Sequence, residues 1–176
     1  MLRFVFPSAA YESAAREYIE EFIQYGSEIN GTGSLDDYLQ NSTYNAWLTK
    51  IQTQLDIANI PEGKVPCITY FAVREEDLRI VGMVNIRLGM NPFLRSEAGQ
   101  IGYSVRPTER RKHYGTEILR MALQVLRKVG YTETVLTCSA DNNASAGVIK
   151  NCGGVLEAEF FSRTYQEELQ RYRIIL

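Results

Sequence analysis

The chain has 176 residues, 45% of them hydrophobic and 11% aromatic, with a formal net charge of −2. That length suits one domain with a substantial core, and that composition excludes an intrinsically disordered chain. The near-neutral charge gives no overall attraction to nucleic acid or anionic membranes, so a local basic cluster weighs more than the total. In chain order, the first expected element is the β-rich run LRFVF at 2–6, closed by Pro7-Ser8. A helical face follows, with Tyr11, Ala15, Tyr18, Ile19, Phe22 and Ile23 recurring at spacings of three and four and Gly26 at its end. Residues 26–38, GSEINGTGSLDDY, are polar and glycine-rich and read as a surface loop. Two helical pieces come next, about 35–41 and about 43–58. The second has Ser42 as its N-cap and Trp47, Leu48, Ile51 and Leu55 as its apolar stripe.

From Val65 the period shortens to two. CITYFAVRE (67–75) and RIVGMVNIRL (79–88) read as a hairpin turned by EEDL. GQIGYSVRP (99–107) is a further strand, ended by Pro107. A helix over about 114–129 turns Ile118, Leu119, Ala122, Val125, Leu126 and Val129 inward, and Gly130 stands where a C-terminal glycine cap belongs. TETVLTCSA (132–140) reads as a short buried strand, and ASAGVIKNCGG as a short helix ended by glycines. VLEAEFFSRTY and QRYRIIL are the last two strands. The order is β-α-α-β-β-β-α-β-α-β-β. The strand–helix–strand crossover at 99–138 predicts at least one parallel pair, and the hairpins predict antiparallel ones. The expected fold is α/β, a mixed sheet with helices on its faces, in a single domain over residues 1–176.

Several functions are excluded at this level. Cys67, Cys138 and Cys152 are odd in number and far apart, which argues against a disulfide framework and a zinc site. With His113 as the one histidine, His-rich metal chemistry has no ligands, and nothing near it resembles a nucleophile elbow. No apolar run approaches the ~20 residues a membrane span needs. The N-terminal stretch reaches Pro7 and acidic residues too soon for a signal peptide, so the expected location is cytoplasmic.

Two segments stand out chemically. In RPTERRKHYGTEIL (106–119), Arg110, Arg111 and Lys112 stand directly before a helix. Free N–H groups at a helix start, the positive end of its dipole and nearby cations make an anion site. Gly115 would let backbone approach a diphosphate. The same residues also read as an ordinary solvated basic turn. One crossover later comes DNNASAGVIKNCGG (141–154), in which Asn142 or Asn143 reads equally as a helix cap.

Together the two segments resemble the GNAT superfamily of N-acetyltransferases. The signature Gln/Arg-x-x-Gly-x-Gly/Ala is matched by Arg110-Arg111-Lys112-His113-Tyr114-Gly115, and the later Asn-x-x-Ala/Ser by Asn142-Asn143-Ala144-Ser145. The resemblance implies the acyl-CoA N-acyltransferase fold, with its splayed sheet and helices on both faces. It implies an N-acetyltransferase that moves acetyl from acetyl-CoA to a primary amine by direct attack, without a metal. The implied cofactor-binding residues are Ser104 and Val105, where the pantetheine arm pairs with the fourth strand, Arg110 to Thr116 (Arg110, Arg111, Lys112, His113, Tyr114, Gly115, Thr116), and Asn142 and Ser145. The implied partners are a small-molecule or peptide amine and at most a second copy in a homodimer, with no nucleic acid and no membrane.

Three positions depart from the family pattern. His113 replaces the first glycine of the loop. A side chain there either crowds the diphosphate or points away and adds a donor; the working cradle is expected to have a helical backbone at His113, which keeps its N–H on the diphosphate and its side chain outward. Gln100 stands where many members have Glu and cannot take a proton, which leaves Glu97 as the nearest candidate base. Ile149 stands where many have a Tyr acid, which leaves Tyr103. On the acceptor side, Glu28, Asp36 and Asp37 are candidates to attract a cationic amine. The alternative function is a catalytically weakened CoA-binding or interaction module on the same fold.

Overall fold

The computed structural model describes residues 1–176. Strands form where the period-two runs lie: β1 (Leu2–Val5), β2 (Cys67–Arg74), β3 (Ile80–Arg87) and β4 (Ile101–Val105) make one sheet in the order β1-β2-β3-β4, every pair antiparallel. A second antiparallel sheet, β5-β7-β6, contains β5 (Glu133–Ser139), β6 (Val155–Ser162) and β7 (Glu167–Ile175). The parallel pair expected from the crossover does not form. The Gln100 N–H donates to the Val135 carbonyl at 2.7 Å, and no ladder joins β4 to β5. The approach is closest at Gly99, at φ +66, where a Cβ would stand 3.0 Å from Leu136 Cα. Gln100, fully buried, pins this junction: its Nε2 donates to the Arg87 carbonyl at 3.1 Å and its Oε1 accepts from Thr134 Oγ1 at 2.7 Å. Past that point the two sheets part.

Three helices precede β2, at the three helical segments read from the sequence although the expected order counts only two: α1 (Glu12–Gln24), α2 (Leu35–Asn41) and α3 (Tyr44–Thr53). Ser42 ends α2, so the cap of α3 is Thr43, whose Oγ1 accepts from the Ala46 N–H at 3.1 Å. Because α3 stops at Thr53, Leu55 falls outside its apolar stripe and is exposed. The remaining helices are α4 (Tyr114–Lys128) and α5 (Asn143–Asn151).

The helices cover opposite faces of the first sheet. Ile118, Leu119, Ala122 and Leu126 of α4 form one stripe against Ala72, Val84 and Ile86, in a core continuous with Leu136 and Tyr172 of the second sheet. Tyr18 and Phe22 of α1, with Trp47 and Ile51 of α3, cover Phe71 and Met83 on the other face. Each fully buried side chain of this size contributes about 1.5–3 kcal/mol. Val129 does not turn inward: α4 has ended, and the residue is 54% exposed.

The 26–38 segment is also less of a surface loop than its composition predicts. Thr32 is buried, and Gly31, at φ +73, lies so close to β4 that a Cβ would stand 2.6 Å from Tyr103 Cα. Ser104 Oγ donates to the Asn30 carbonyl at 2.5 Å. The glycines here serve close backbone approach, and the loop covers one face of β4.

Candidate active site

The turn between β4 and α4 gathers free donors. None of the backbone N–H groups of Arg111, Lys112, His113, Tyr114, Gly115 and Thr116 meets an acceptor in the protein; the next, Glu117, bonds to the His113 carbonyl at 3.1 Å. Some orphan donors occur at every helix start. Here the run extends back through Arg111 because the turn is folded as a nest: Arg111 has φ +62 and His113 has φ +63 and ψ 4, both left-handed. The helical backbone expected at His113 is therefore wrong. The left-handed conformation is the one glycine adopts freely and histidine adopts at a cost of about 1–2 kcal/mol. The side chain is nevertheless exposed, and it lines a recess of about 540 Å³ with Thr116, Glu117, Arg120 and Asn151.

The three cations do not act alike. Lys112 Nζ is 2.9 Å from Glu109 Oε2, and the buried Glu109 also receives Arg74 Nη1 at 2.9 Å. Arg110 donates to the Val105 carbonyl at 3.2 Å and to Ser27 Oγ at 2.6 Å, with its guanidinium over the Phe22 ring. These contacts brace the turn against α1 and β2. Arg111 has no protein partner and is exposed, so it is the cation of the three left free for an anion.

Beside the turn lies the gap between the sheets. β4 bonds to β3 through its even-numbered residues, as in Arg106 N–H to the Val81 carbonyl and Arg87 N–H to the Gln100 carbonyl. The antiparallel alternation therefore turns the N–H and C=O groups of Ile101, Tyr103 and Val105 to the opposite edge, where β5 does not pair. This shifts the expected backbone contact. Ser104 faces away, its hydroxyl held by Asn30 and within 3.0 Å of Tyr18 OH. Tyr103 OH lies 3.2 Å from Ser145 Oγ, reaching from β4 to α5. Burial, only partly offset by that hydrogen bond, pushes the Tyr103 phenol up to about 12. Asn142 is the N-cap of α5, its Oδ1 accepting from the Ser145 N–H at 2.9 Å, which leaves its Nδ2 free. Gly115 is packed so that a Cβ would stand 3.1 Å from Val148 Cγ2 and 3.6 Å from Val105 Cγ2.

Of the acid–base candidates, Glu97 sits in a π-turn, Leu94–Ala98, at the closed end of the gap, where its Oε2 accepts from Ser162 Oγ at 2.6 Å. Gln100 is committed to holding β3, β4 and β5 together. Ile149 is a core residue of α5. Asp36 and Asp37 accept from Thr32 and Asn41 within their own segment, and Asp36 and Glu28 line a separate groove against α1. Sequence reasoning misses two cations on the α1/α3 face of the sheet, Lys50 and Arg87. The signal is in the strand: Met83, Asn85 and Arg87 alternate onto one face, and that face turns from apolar to charged along β3.

The model of the Acetyltransferase (GNAT) family matches residues 32–153. No curated protein matches the sequence. Among solved structures, the microcin C7 self-immunity acetyltransferase MccE, in complex with acetyl-CoA and AMP, superposes at TM-score 0.70 and 16% identity over 99% of this chain and 92% of that one. RimL, a ribosomal L7/L12 alpha-N-protein acetyltransferase in complex with coenzyme A, gives 0.71 and 16% over 99% and 94%. A ribosomal-protein-S5-alanine acetyltransferase from Vibrio fischeri gives 0.71 and 17% over 99% and 91%. At such identities the likeness establishes the fold, and the family model, matching well over half of the chain, establishes the rest: the chain belongs to the GNAT family of acetyltransferases.

Proposed function

We propose that this chain, acting as a single domain over 1–176, transfers acetyl from acetyl-CoA to a primary amine at the gap between β4 and β5. The observation that carries the reading is the run of six free N–H groups, Arg111 to Thr116, opening beside an unpaired strand edge. The residues fit the cosubstrate. The nest would hold the diphosphate, Arg111 with the His113–Asn151 recess would take the phosphorylated ribose end, and the edges of Tyr103 and Val105 with Asn142 Nδ2 would pair the pantetheine arm. Bound acetyl-CoA would supply the thioester acetyl group that the amine attacks. Val105 and Ser145 keep their expected places in this scheme; Ser104 acts by fixing the covering loop.

Direct attack is supported by the thiols. Cys138 and Cys152, on β5 and just after α5, both have their pKa pushed up by burial, which disfavours the thiolate that an acyl-cysteine route needs. Glu97 is proposed to receive the proton from the amine, since its Oε1 has no protein partner. The Tyr103 phenol, protonated at every working pH, is proposed to hydrogen-bond the departing sulfur. Proximity in such a pair can supply about 7–11 kcal/mol, against the 10²–10⁴-fold that acid–base help typically gives. The loss of the family's Glu and Tyr at Gln100 and Ile149 is therefore survivable. The test is thiol release from acetyl-CoA with a panel of amines. Turnover with any primary amine supports transfer; acetyl-CoA binding without turnover would favour the weakened CoA-binding module.

A further inference from the structure

We infer that the acceptor amine carries an oxyanion, a carboxylate or a phosphate, a few bonds from its nitrogen, and that Arg87 holds it. The inference rests on the transfer reading above and names the substrate class of that site.

Cys67, Thr69 and Phe71 of β2 stand beside Arg87, Asn85 and Met83 of β3, and Gly102 and Ser104 of β4 complete the same face. Under α1 and α3 the face is apolar core. One register step on, Asn85 Nδ2 donates to Thr69 Oγ1 at 3.0 Å, and the step after that is Arg87. Its guanidinium lies over Gly102: a Cβ there would stand 3.6 Å from both Nη1 and Nη2. Gly102 sits between Ile101 and Tyr103, whose free edges line the gap. Arg87 is thus on the β4 backbone within about one residue of where the acetyl group would lie.

Arg87 is poorly satisfied by the protein. Nη1 donates to the carbonyls of Ala98 and Gly99 at 3.4 and 3.3 Å, and no carboxylate lies within 4.0 Å. Elsewhere the fold supplies carboxylates to its inner guanidinium groups: Arg106 has Glu21 at 2.6 Å and Glu17 at 2.8 Å, and Arg74 has Glu109 at 2.9 Å. Burial lowers the pKa of Arg87 by more than its neighbours Cys67 and Tyr165 raise it, as expected of a cation held by two long carbonyl contacts and no carboxylate. Lys50 reaches the same face from α3. Its Nζ donates to the Gly33 carbonyl at 2.9 Å, it too lacks a carboxylate within 4.0 Å, and its pKa is also lowered by burial. Cys67 stands directly beside Arg87 in the β2–β3 register. Burial raises the pKa of the Tyr165 phenol, Arg87 opposes the rise, and Glu97 and Glu167 add to it, so Glu97 and Arg87 lie around the same ring. Asp36 and Asp37 lie near enough to Lys50 to favour its charged form, so Arg87 is the cation of this face left for an oxyanion, with Glu97 nearby for the amine; that pairing suits a molecule with one amine and one oxyanion. Arg87 repels polyamines.

The test uses the full chain and two readouts. Glycine, β-alanine and O-phosphoethanolamine are compared with glycinamide, ethanolamine and spermidine. The first readout is the melting shift that each amine adds to protein saturated with CoA, which needs no turnover. The second is kcat/KM for thiol release from acetyl-CoA. At least one of the first three should stabilise the CoA complex and react at least tenfold more efficiently than its neutral counterpart. The carboxylates and the phosphate then tell the two sources apart. In Arg87→Gln that preference ratio should fall at least tenfold, mainly through KM, and Arg87→Lys should restore part of it; the melting shift with CoA reports whether each variant is folded. Preference of the wild type for spermidine or a neutral amine would overturn the inference. So would an equal loss for all acceptors in Arg87→Gln, or no stabilisation by any oxyanion-bearing amine. Turnover with neutral amines alone sinks this inference and leaves transfer standing. Binding of an oxyanion amine without turnover of any amine does the reverse.

Discussion

At the scale of single residues, the β4–α4 turn is read through its backbone angles. His113 sits at φ +63, so His113→Gly removes a strained conformation and keeps the N–H in place. The variant should gain about 1 kcal/mol of stability, a little less than the strain because glycine also loosens the unfolded chain. Affinity for acetyl-CoA should change by less than tenfold, about 1.4 kcal/mol. Urea unfolding and calorimetric titration measure the two. A hundredfold tighter complex would mean that the imidazole obstructs the cradle. Gly115→Val is the opposite case: Val148 Cγ2 would stand 3.1 Å from the first added carbon, so the variant should lose both stability and nearly all binding. Among the cations, Arg111→Ala should weaken CoA more than dephospho-CoA, which lacks the 3′-phosphate. Lys112→Ala should do so much less, because Glu109 already holds its ammonium group. Equal losses for both ligands in Arg111→Ala would show that Arg111 does not read that phosphate.

At the scale of elements, α1 is clamped to the end of β4 by charge. Arg106, 2% exposed, is held by Glu21, which also accepts from the Thr108 N–H at 2.9 Å and its hydroxyl at 2.8 Å. Burial raises the Glu21 pKa, but the Thr108 and Arg106 hydrogen bonds outweigh it, leaving a net value below the usual 4.5. Glu109 behaves alike: burial is outweighed by Lys112 and Arg74. A depressed carboxylate pKa adds stability above the unfolded value, and the gain is lost as pH falls through the folded value. Stability should therefore hold between pH 7 and about 5 and drop below pH 4.5. Glu21→Gln should start lower at pH 7 and lose less on acidification; an unchanged slope would remove Glu21 from the account. Arg106→Ala should cost about 3 kcal/mol, the low end for a broken buried pair, because it removes the shortest partner of Glu21 but leaves Thr108 and Arg79 on that carboxylate. The elements themselves were legible in the sequence because their apolar periods are long and end at glycine or proline, as at Gly26, Pro107 and Gly130. Ser42 reads as a cap in the sequence, but two helices abut there, so it ends α2 and Thr43 caps α3. The missing parallel pair could not be foreseen, since a crossover fixes the order of strands and not whether they bond. The site was half legible: the free N–H run follows from a local motif, whereas Arg87, Gln100 and Arg106 acquire their roles only from partners far along the chain.

At the scale of the whole molecule, two sheets meet along a seam held by Gln100, by the α4–α5 side of the core and by little backbone bonding. Acetyl-CoA placed in that seam would contact β4 on one side and α5 on the other, so its binding energy would reach the global stability. Ligand at 100 times its Kd adds about 2.7 kcal/mol, which for a chain of 176 residues corresponds to a melting shift of about 5–11 °C. Hydrogen exchange locates the effect. The amides of Arg111 to Thr116 and the edge amides of Ile101, Tyr103 and Val105 have no strong protein acceptor facing them, so they should exchange fast in the free protein. With acetyl-CoA both groups should slow sharply. Amides of β5 and β7 should slow as well, because the ligand suppresses opening of one sheet against the other. Slowing in the turn alone, with β4 unchanged, would mean that the ligand is held by its diphosphate outside the gap, a pose from which no amine could be acetylated at Gly102. A melting shift without slowing in the turn would place the ligand elsewhere on the molecule and remove the nest from the mechanism.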